Sequence, residues 1–169
     1  MSGSNDKSVW VGDASTGIEL KELKGHNGSV YSVVWIVSGS GDKSVWVWDA
    51  SAGVDLKKLR GHTRMVCSVA FSSDGMWIVS GSGDKSVRVW DTSTGVEIMK
   101  LMGHTAHTGS VNSVMFSDDS SQIVSGSSDK SVQVWEASTG MELKELKAVA
   151  FSGGLYLVHV TTLCRCEIC

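Results

Sequence analysis

Along residues 62–102, apolar and polar positions fall into four short alternating runs separated by small polar clusters. Residues 66–71 read Val-Cys-Ser-Val-Ala-Phe, 77–82 follow, then 86–90, and 96–101 close the unit. Two-residue alternation rich in β-branched and aromatic side chains predicts strands. The separators Ser72-Ser73-Asp74-Gly75, Gly83-Asp84-Lys85 and Thr92-Ser93-Thr94-Gly95 suit tight turns. With abundant glycine and no proline, the chain reads as all-β. Four strands make one unit, with 66–71 first and 96–101 last.

The unit is copied along the chain. A block Ser-Gly-Ser-x-Asp-Lys-Ser-Val-x-Val begins at Ser2, Ser38, Ser80 and Ser125, with Asn5 and Gly41, Gly83 and Ser128 at the variable position. Its aspartates, Asp6, Asp42, Asp84 and Asp129, lie 36, 42 and 45 residues apart. The parent period is 42, with six residues lost between Trp35 and Ile36 and three gained in Gly103-His104-Thr105-Ala106-His107-Thr108. Self-similarity at this period marks a repeat architecture.

Gly25-His26, Gly61-His62 and Gly103-His104 precede the block, and Trp48-Asp49, Trp90-Asp91 and Trp135-Glu136 close it. On these residues the chain resembles the WD-repeat β-propeller family over residues 2–152. In texture it is most similar to the C-terminal WD-repeat arrays of fungal NACHT-type immune and incompatibility proteins. The resemblance implies a partial propeller of about three four-stranded blades flanked by two half-blades. The half-blade is 1–24, the blades are 26–60, 62–102 and 104–147, and a further blade starts at 148–152. The tail 153–169 diverges from the repeat. A seven-bladed ring of this period needs about 290 residues. Two chains in a head-to-tail ring would hold about eight blade equivalents; the alternatives are a four-bladed ring from one chain or an open fragment.

The same resemblance implies buried structural tetrads: His26, Ser38, Asp42 and Trp48; His62, Ser80, Asp84 and Trp90; and Ser125, Asp129 and Trp135 with a histidine. His107 stands as far before Ser125 as His62 before Ser80, which favours it over His104. In the first half-blade Gly12 replaces the tryptophan, so its network is expected to be lost. A serine, histidine and aspartate together also suggest acyl transfer. An active site is one constellation, whereas this set recurs in every unit, so no catalytic residue is expected and the chain is read as non-enzymatic.

The copies differ at the residues after Gly-His, in the first strand, before the turn aspartate and in the third strand. A position that drifts among Trp, Arg and Gln is expected to be exposed. Tyr31, Trp46, Met65, Cys67, Arg88, Asn112 and Gln133 are therefore the candidate partner-binding rim, rich in the residue types of interface hot spots.

Composition narrows the remaining classes. The net charge of −3 and the scattered lysines give no basic stripe for nucleic acid, and no apolar run reaches membrane-spanning length. A cytoplasmic location is expected. His159, Cys164, Cys166 and Cys169 match no strong zinc template, so neither metal nor cofactor is expected. The function expected is a non-catalytic protein-interaction scaffold. The rivals are a non-functional fragment of a larger recognition receptor and a hydrolase.

Overall fold

The computed structural model describes residues 2–3, 5–13, 15–16, 18–34, 37–49, 54–101, 107–147, 149–151 and 154–156. All regular structure among them is β. The strands are β1 (Ser2–Gly3), β2 (Ser8–Gly12) and β3 (Glu19–Lys24); β4 (Val30–Val34), β5 (Val37–Ser40), β6 (Ser44–Trp48) and β7 (Asp55–Arg60); β8 (Val66–Phe71), β9 (Trp77–Ser82), β10 (Val87–Asp91) and β11 (Glu97–Leu101); β12 (Val111–Phe116), β13 (Gln122–Ser127), β14 (Ser131–Glu136) and β15 (Glu142–Lys147); and β16 (Val149–Phe151) with β17 (Gly154–Tyr156). Each group is an antiparallel sheet paired in chain order. Three are four-stranded, as a partial propeller requires. The first carries a short extra strand, β1, beyond the third and outer strands expected there.

Shortening the hairpin before Ile36 does not shift its register. Val33 pairs with Ser38 as Val69 pairs with Ser80 and Val114 with Ser125. The junction residues Trp35 and Ile36, like the divergent tail beyond Tyr156, lie outside the described residues.

Sheets stack through valines that alternate along the strands. Val37, Val45, Val47 and Leu59 of one blade meet Val66, Val69, Ile78 and Trp90 of the next. Val79, Val87, Val89 and Leu101 then meet Val111, Val114, Ile123 and Trp135. The inner strands are also tied polar to polar: the Val69 amide donates to Ser32 Oγ and the Val114 amide to Ser68 Oγ, both at 3.2 Å.

The glycine of the repeated block exists for this contact. A Cβ on Gly39 would sit 2.7 Å from Val66 Cγ1, and one on Gly81 would sit 2.7 Å from Val111 Cγ1 and 2.9 Å from Val114 Cγ1. Gly81→Ala is therefore expected to force blades two and three apart and cost about 1–3 kcal/mol. Chemical denaturation reads this directly; an unchanged midpoint would show that the valines yield freely.

Two bulges recur in each full blade. The inner-strand pairing skips Tyr31, Cys67 and Asn112, and the outer-strand pairing skips Leu56, Ile98 and Leu143, with Leu20 equivalent in the first sheet. A bulge leaves its extra residue unpaired and re-aims its side chain. The outer bulges thus turn aliphatic residues to solvent.

Candidate functional site

Three hydrogen-bonded chains run from the blade interior to the rim. Trp48 Nε1 donates to Ser38 Oγ at 2.8 Å, Ser38 Oγ lies 2.7 Å from His26 Nε2, and His26 Nδ1 lies 2.9 Å from Asp42 Oδ2. In the second blade the corresponding distances are 2.8 Å for Trp90 to Ser80, 2.8 Å for Ser80 to His62 and 2.9 Å for His62 to Asp84. In the third they are 2.9 Å for Trp135 to Ser125, 2.8 Å for Ser125 to His107 and 3.2 Å for His107 to Asp129. His107 therefore stands in the third network; His104 lies outside the described residues.

The direction of each chain follows from its ends. An indole N–H only donates and an ionised carboxylate only accepts. Hence histidine Nδ1 carries the proton and donates to aspartate, Nε2 accepts from the serine hydroxyl, and the serine oxygen accepts from the indole. The central serines Ser38, Ser80 and Ser125 are 0% exposed.

Each aspartate is the hub of more bonds than the resemblance implied. Asp84 Oδ1 accepts the Ser86 amide at 3.0 Å and the Ser86 hydroxyl at 2.5 Å, while Oδ2 also takes the Thr63 amide at 2.9 Å. Asp42 and Asp129 repeat this with Ser44 and Asn27, and with Ser131 and Thr108. The serine two residues after the aspartate is thus a fifth member that sequence reasoning missed. Its signal was present, since every copy of the block carries it. Between them sits a lysine in the left-handed region, with φ of 72° at Lys43 and Lys85 and 69° at Lys130, which folds the turn back so the serine reaches the carboxylate. In the first sheet Asp6 still takes the Ser8 amide and hydroxyl, so this half of the device survives where Gly12 replaces tryptophan.

These bonds set the charge states. Burial would raise the Asp42 pKa, but Ser44, the Asn27 amide and His26 outweigh it and hold it at about 2. The same balance lowers Asp84 and Asp129. Burial lowers the proton affinity of His26 below the ordinary 6.5, with Asp42 opposing. Because the His26 pKa falls on folding, its contribution is complete above about pH 6.5 and is lost as pH drops below that value. The aspartates contribute fully above their ordinary 3.8, and Asp42 is lost as pH falls through about 2. Thermal midpoints are therefore expected to be flat above neutrality, to decline from about pH 6.5 and to fall further below pH 4. A midpoint that rises between pH 6.5 and 5 would contradict the His26 part.

The expected rim divides. Tyr31 is 51% exposed and Met65 46%; Asn112 is exposed and Cys67 half-buried. They lie beside the aspartate turns: a Cβ on Gly41 would touch Tyr31 Cε2, and one on Gly83 would touch Met65 Cγ, each at 3.3 Å. Trp46, Arg88 and Gln133 do not belong to that surface. Trp46 is 8% and Gln133 0% exposed, and the Arg88 side chain is 12% exposed. The reason is the strand period, which puts each two residues before the tetrad tryptophan and on the same covered face.

Trp46 and Arg88 each find partners within that covered face. The Trp46 ring stacks on Trp48 at 5.1 Å, its Nε1 donates to Ser44 Oγ at 2.7 Å, and Lys58 Nζ lies 4.2 Å above it. Arg88 Nη1 instead pairs with Glu97.

Among the described residues, no group of three His, Cys, Asp or Glu side chains is placed to hold a metal ion. His159, Cys164, Cys166 and Cys169 lie outside the described residues. A family model described as WD domain, G-beta repeat matches residues 17–49, 53–91 and 95–136. No curated protein matches the chain.

Proposed function

The chain belongs to the WD-repeat family, whose model covers more than half of it, and on that premise we propose that it is a non-catalytic module presenting its rim to a protein partner. WD repeats generally serve as protein-interaction scaffolds and are typically non-enzymatic. The observation that carries the reading is the inner-strand bulge. It places a different side chain, Tyr31, Cys67 or Asn112, at the same rim position of three blades whose supporting networks are alike. Constant scaffolding under changing rim residues is the arrangement of a recognition surface. The narrower likeness to fungal recognition arrays is part of the same proposal, since such an array changes target by changing these positions.

The Ser–His–Asp order matches that of a hydrolytic triad, but each serine is sealed from solvent and its oxygen already accepts an indole N–H. This supports the non-catalytic reading, because a nucleophile must meet its substrate.

Tyr31→Ala, Met65→Ala and Asn112→Ala combined are expected to abolish partner capture while shifting stability by no more than about 0.5 kcal/mol per substitution, as for ordinary surface positions. Affinity capture and denaturation of the same preparation measure both. Undiminished capture would place the partner on another face.

A further inference from the structure

The connections between strands form two sets at opposite ends of the sheets. At one end the amides of Gly83 and Ser128, in the aspartate turns, donate to Met65 and Ser110 in the segments that enter the inner strands, both at 2.9 Å. At the other end Thr92 and Ala137 donate to Met76 and Ser121 of the inner hairpins, again at 2.9 Å. Charge divides with the ends. The connections of the second end, 13–18, 49–54, 72–76, 91–96, 117–121 and 136–141, contain seven Asp and Glu residues and no lysine or arginine.

The first end, which carries the rim, is the reverse. Lys7, Lys43, Arg64, Lys85 and Lys130 are exposed there, and the acidic residues of its connections are the turn aspartates. The side chains of Asp42, Asp84 and Asp129 are at most 12% exposed and give both oxygens to internal donors. A chain of net charge −3 thus presents a basic rim, from lysines that are scattered in the sequence and gathered by the fold.

The turn itself does not need these lysines. Each lies in the left-handed region, with φ of 75° at Lys7, 72° at Lys43 and Lys85, and 69° at Lys130, where glycine or asparagine carries less strain. At the other end of the sheets that conformation falls to Gly75, Gly95 and Gly140, and to Ser120. The lysines serve the turn through their backbone, since the amides of Lys43, Lys85 and Lys130 donate to the Ser40, Ser82 and Ser127 carbonyls at 3.0–3.1 Å. None of the four ammonium groups pairs with a described carboxylate.

We propose that the rim binds an acidic segment of its protein partner, with Asp or Glu side chains meeting Lys43, Lys85 and Lys130 while apolar ones pack on Tyr31 and Met65. This rests on the rim reading above and adds the partner's charge to it. Complementary charge steers encounter and fixes register, a role suited to one lysine at the same place on each blade. A nucleic acid would also meet the lysines, but a strand of bases stacks on aromatic side chains at successive steps. Of the bulge positions 31, 67 and 112, only Tyr31 is aromatic.

Fluorescence anisotropy tests this on the intact chain with a labelled peptide of four Glu-Glu-Phe repeats, beside a peptide of four Lys-Lys-Phe repeats and an oligothymidylate of the same length. The expected result is binding of the acidic peptide alone, weakened at least about tenfold between about 50 and 500 mM salt. Lys43→Asn, Lys85→Asn and Lys130→Asn combined should weaken it at least about tenfold with the thermal midpoint unchanged or raised, because asparagine fits a left-handed turn. Lys43→Arg, Lys85→Arg and Lys130→Arg should keep it. The proposal is overturned by an acidic peptide that does not bind, by binding that the asparagine variant retains, or by equal binding of either control. Partner capture by the asparagine variant separates this proposal from the one it rests on. Capture that survives there but is lost with Tyr31, Met65 and Asn112 overturns the charge proposal and leaves the rim reading in place.

Discussion

Asp84→Ala is expected to lower the unfolding free energy by about 3 kcal/mol, the largest effect of any single substitution in the second blade. The carboxylate receives His62 Nδ1, the Thr63 amide and both the amide and hydroxyl of Ser86. Hydrogen bonds to a charged group contribute about 1.5–3 kcal/mol each, and they do not add when one group makes several. Thr63 is exposed and can turn to water, but His62 and Ser86 are 7% and 5% exposed; His62 Nδ1 lies 3.3 Å from Ser86 Oγ and can donate there, which leaves the amide and hydroxyl of Ser86 as the unmatched donors. Asp84→Asn should cost less, because one acceptor oxygen remains. Urea denaturation of the two variants gives the comparison; a loss below about 1 kcal/mol for Asp84→Ala would show that solvent replaces the hub.

Trp90→Phe is expected to cost about 1–3 kcal/mol without changing which partner is bound. It removes the donor to Ser80 Oγ, which is 0% exposed and has no route to water, and it leaves space in the packed cluster that Trp90 joins between blades one and two. The rim residues Tyr31, Met65 and Asn112 are untouched. Denaturation and partner capture on one preparation separate the effects: an unchanged midpoint removes the network from the stability argument, and an altered partner would tie it to recognition. Trp48→Phe also shrinks the ring that stacks on Trp46.

The residues that sequence placed well are those whose role is local or repeated. Strands 66–71 and 77–82 were legible to the residue because two-residue alternation marks both, the Asp74-Gly75 turn joins them and the Asp84-Lys85 turn closes the second. His107 could be preferred to His104 because the hairpin between histidine and serine is full length in the second and third units, so both keep the interval of 18, whereas His26 of the shortened unit stands 12 before Ser38. Cys67 and the serines at 44, 86 and 131 show the limits. Nothing in the order of residues reveals a bulge, which needs a partner strand to be one residue shorter. The serine recurs visibly in every copy, but its bond to the aspartate depends on the left-handed lysine between them, a backbone turn that only the fold displays.

Taken alone, the sequence determined the repeat, its four strands and the polar set that each unit carries, because period, turn chemistry and recurrence are properties of the chain itself. Only the tertiary structure decided which variable positions face outward. Variation at 46, 88 and 133 looked like surface drift, yet the pleat sets those side chains on the covered face, where Lys58 and Glu97 complete Trp46 and Arg88. Variation at 31 and 112 does reach solvent, because a bulge breaks the pleat there. Exposure depends on what lies across the strand and on the next blade, and neither relation is written in the order of one segment's residues.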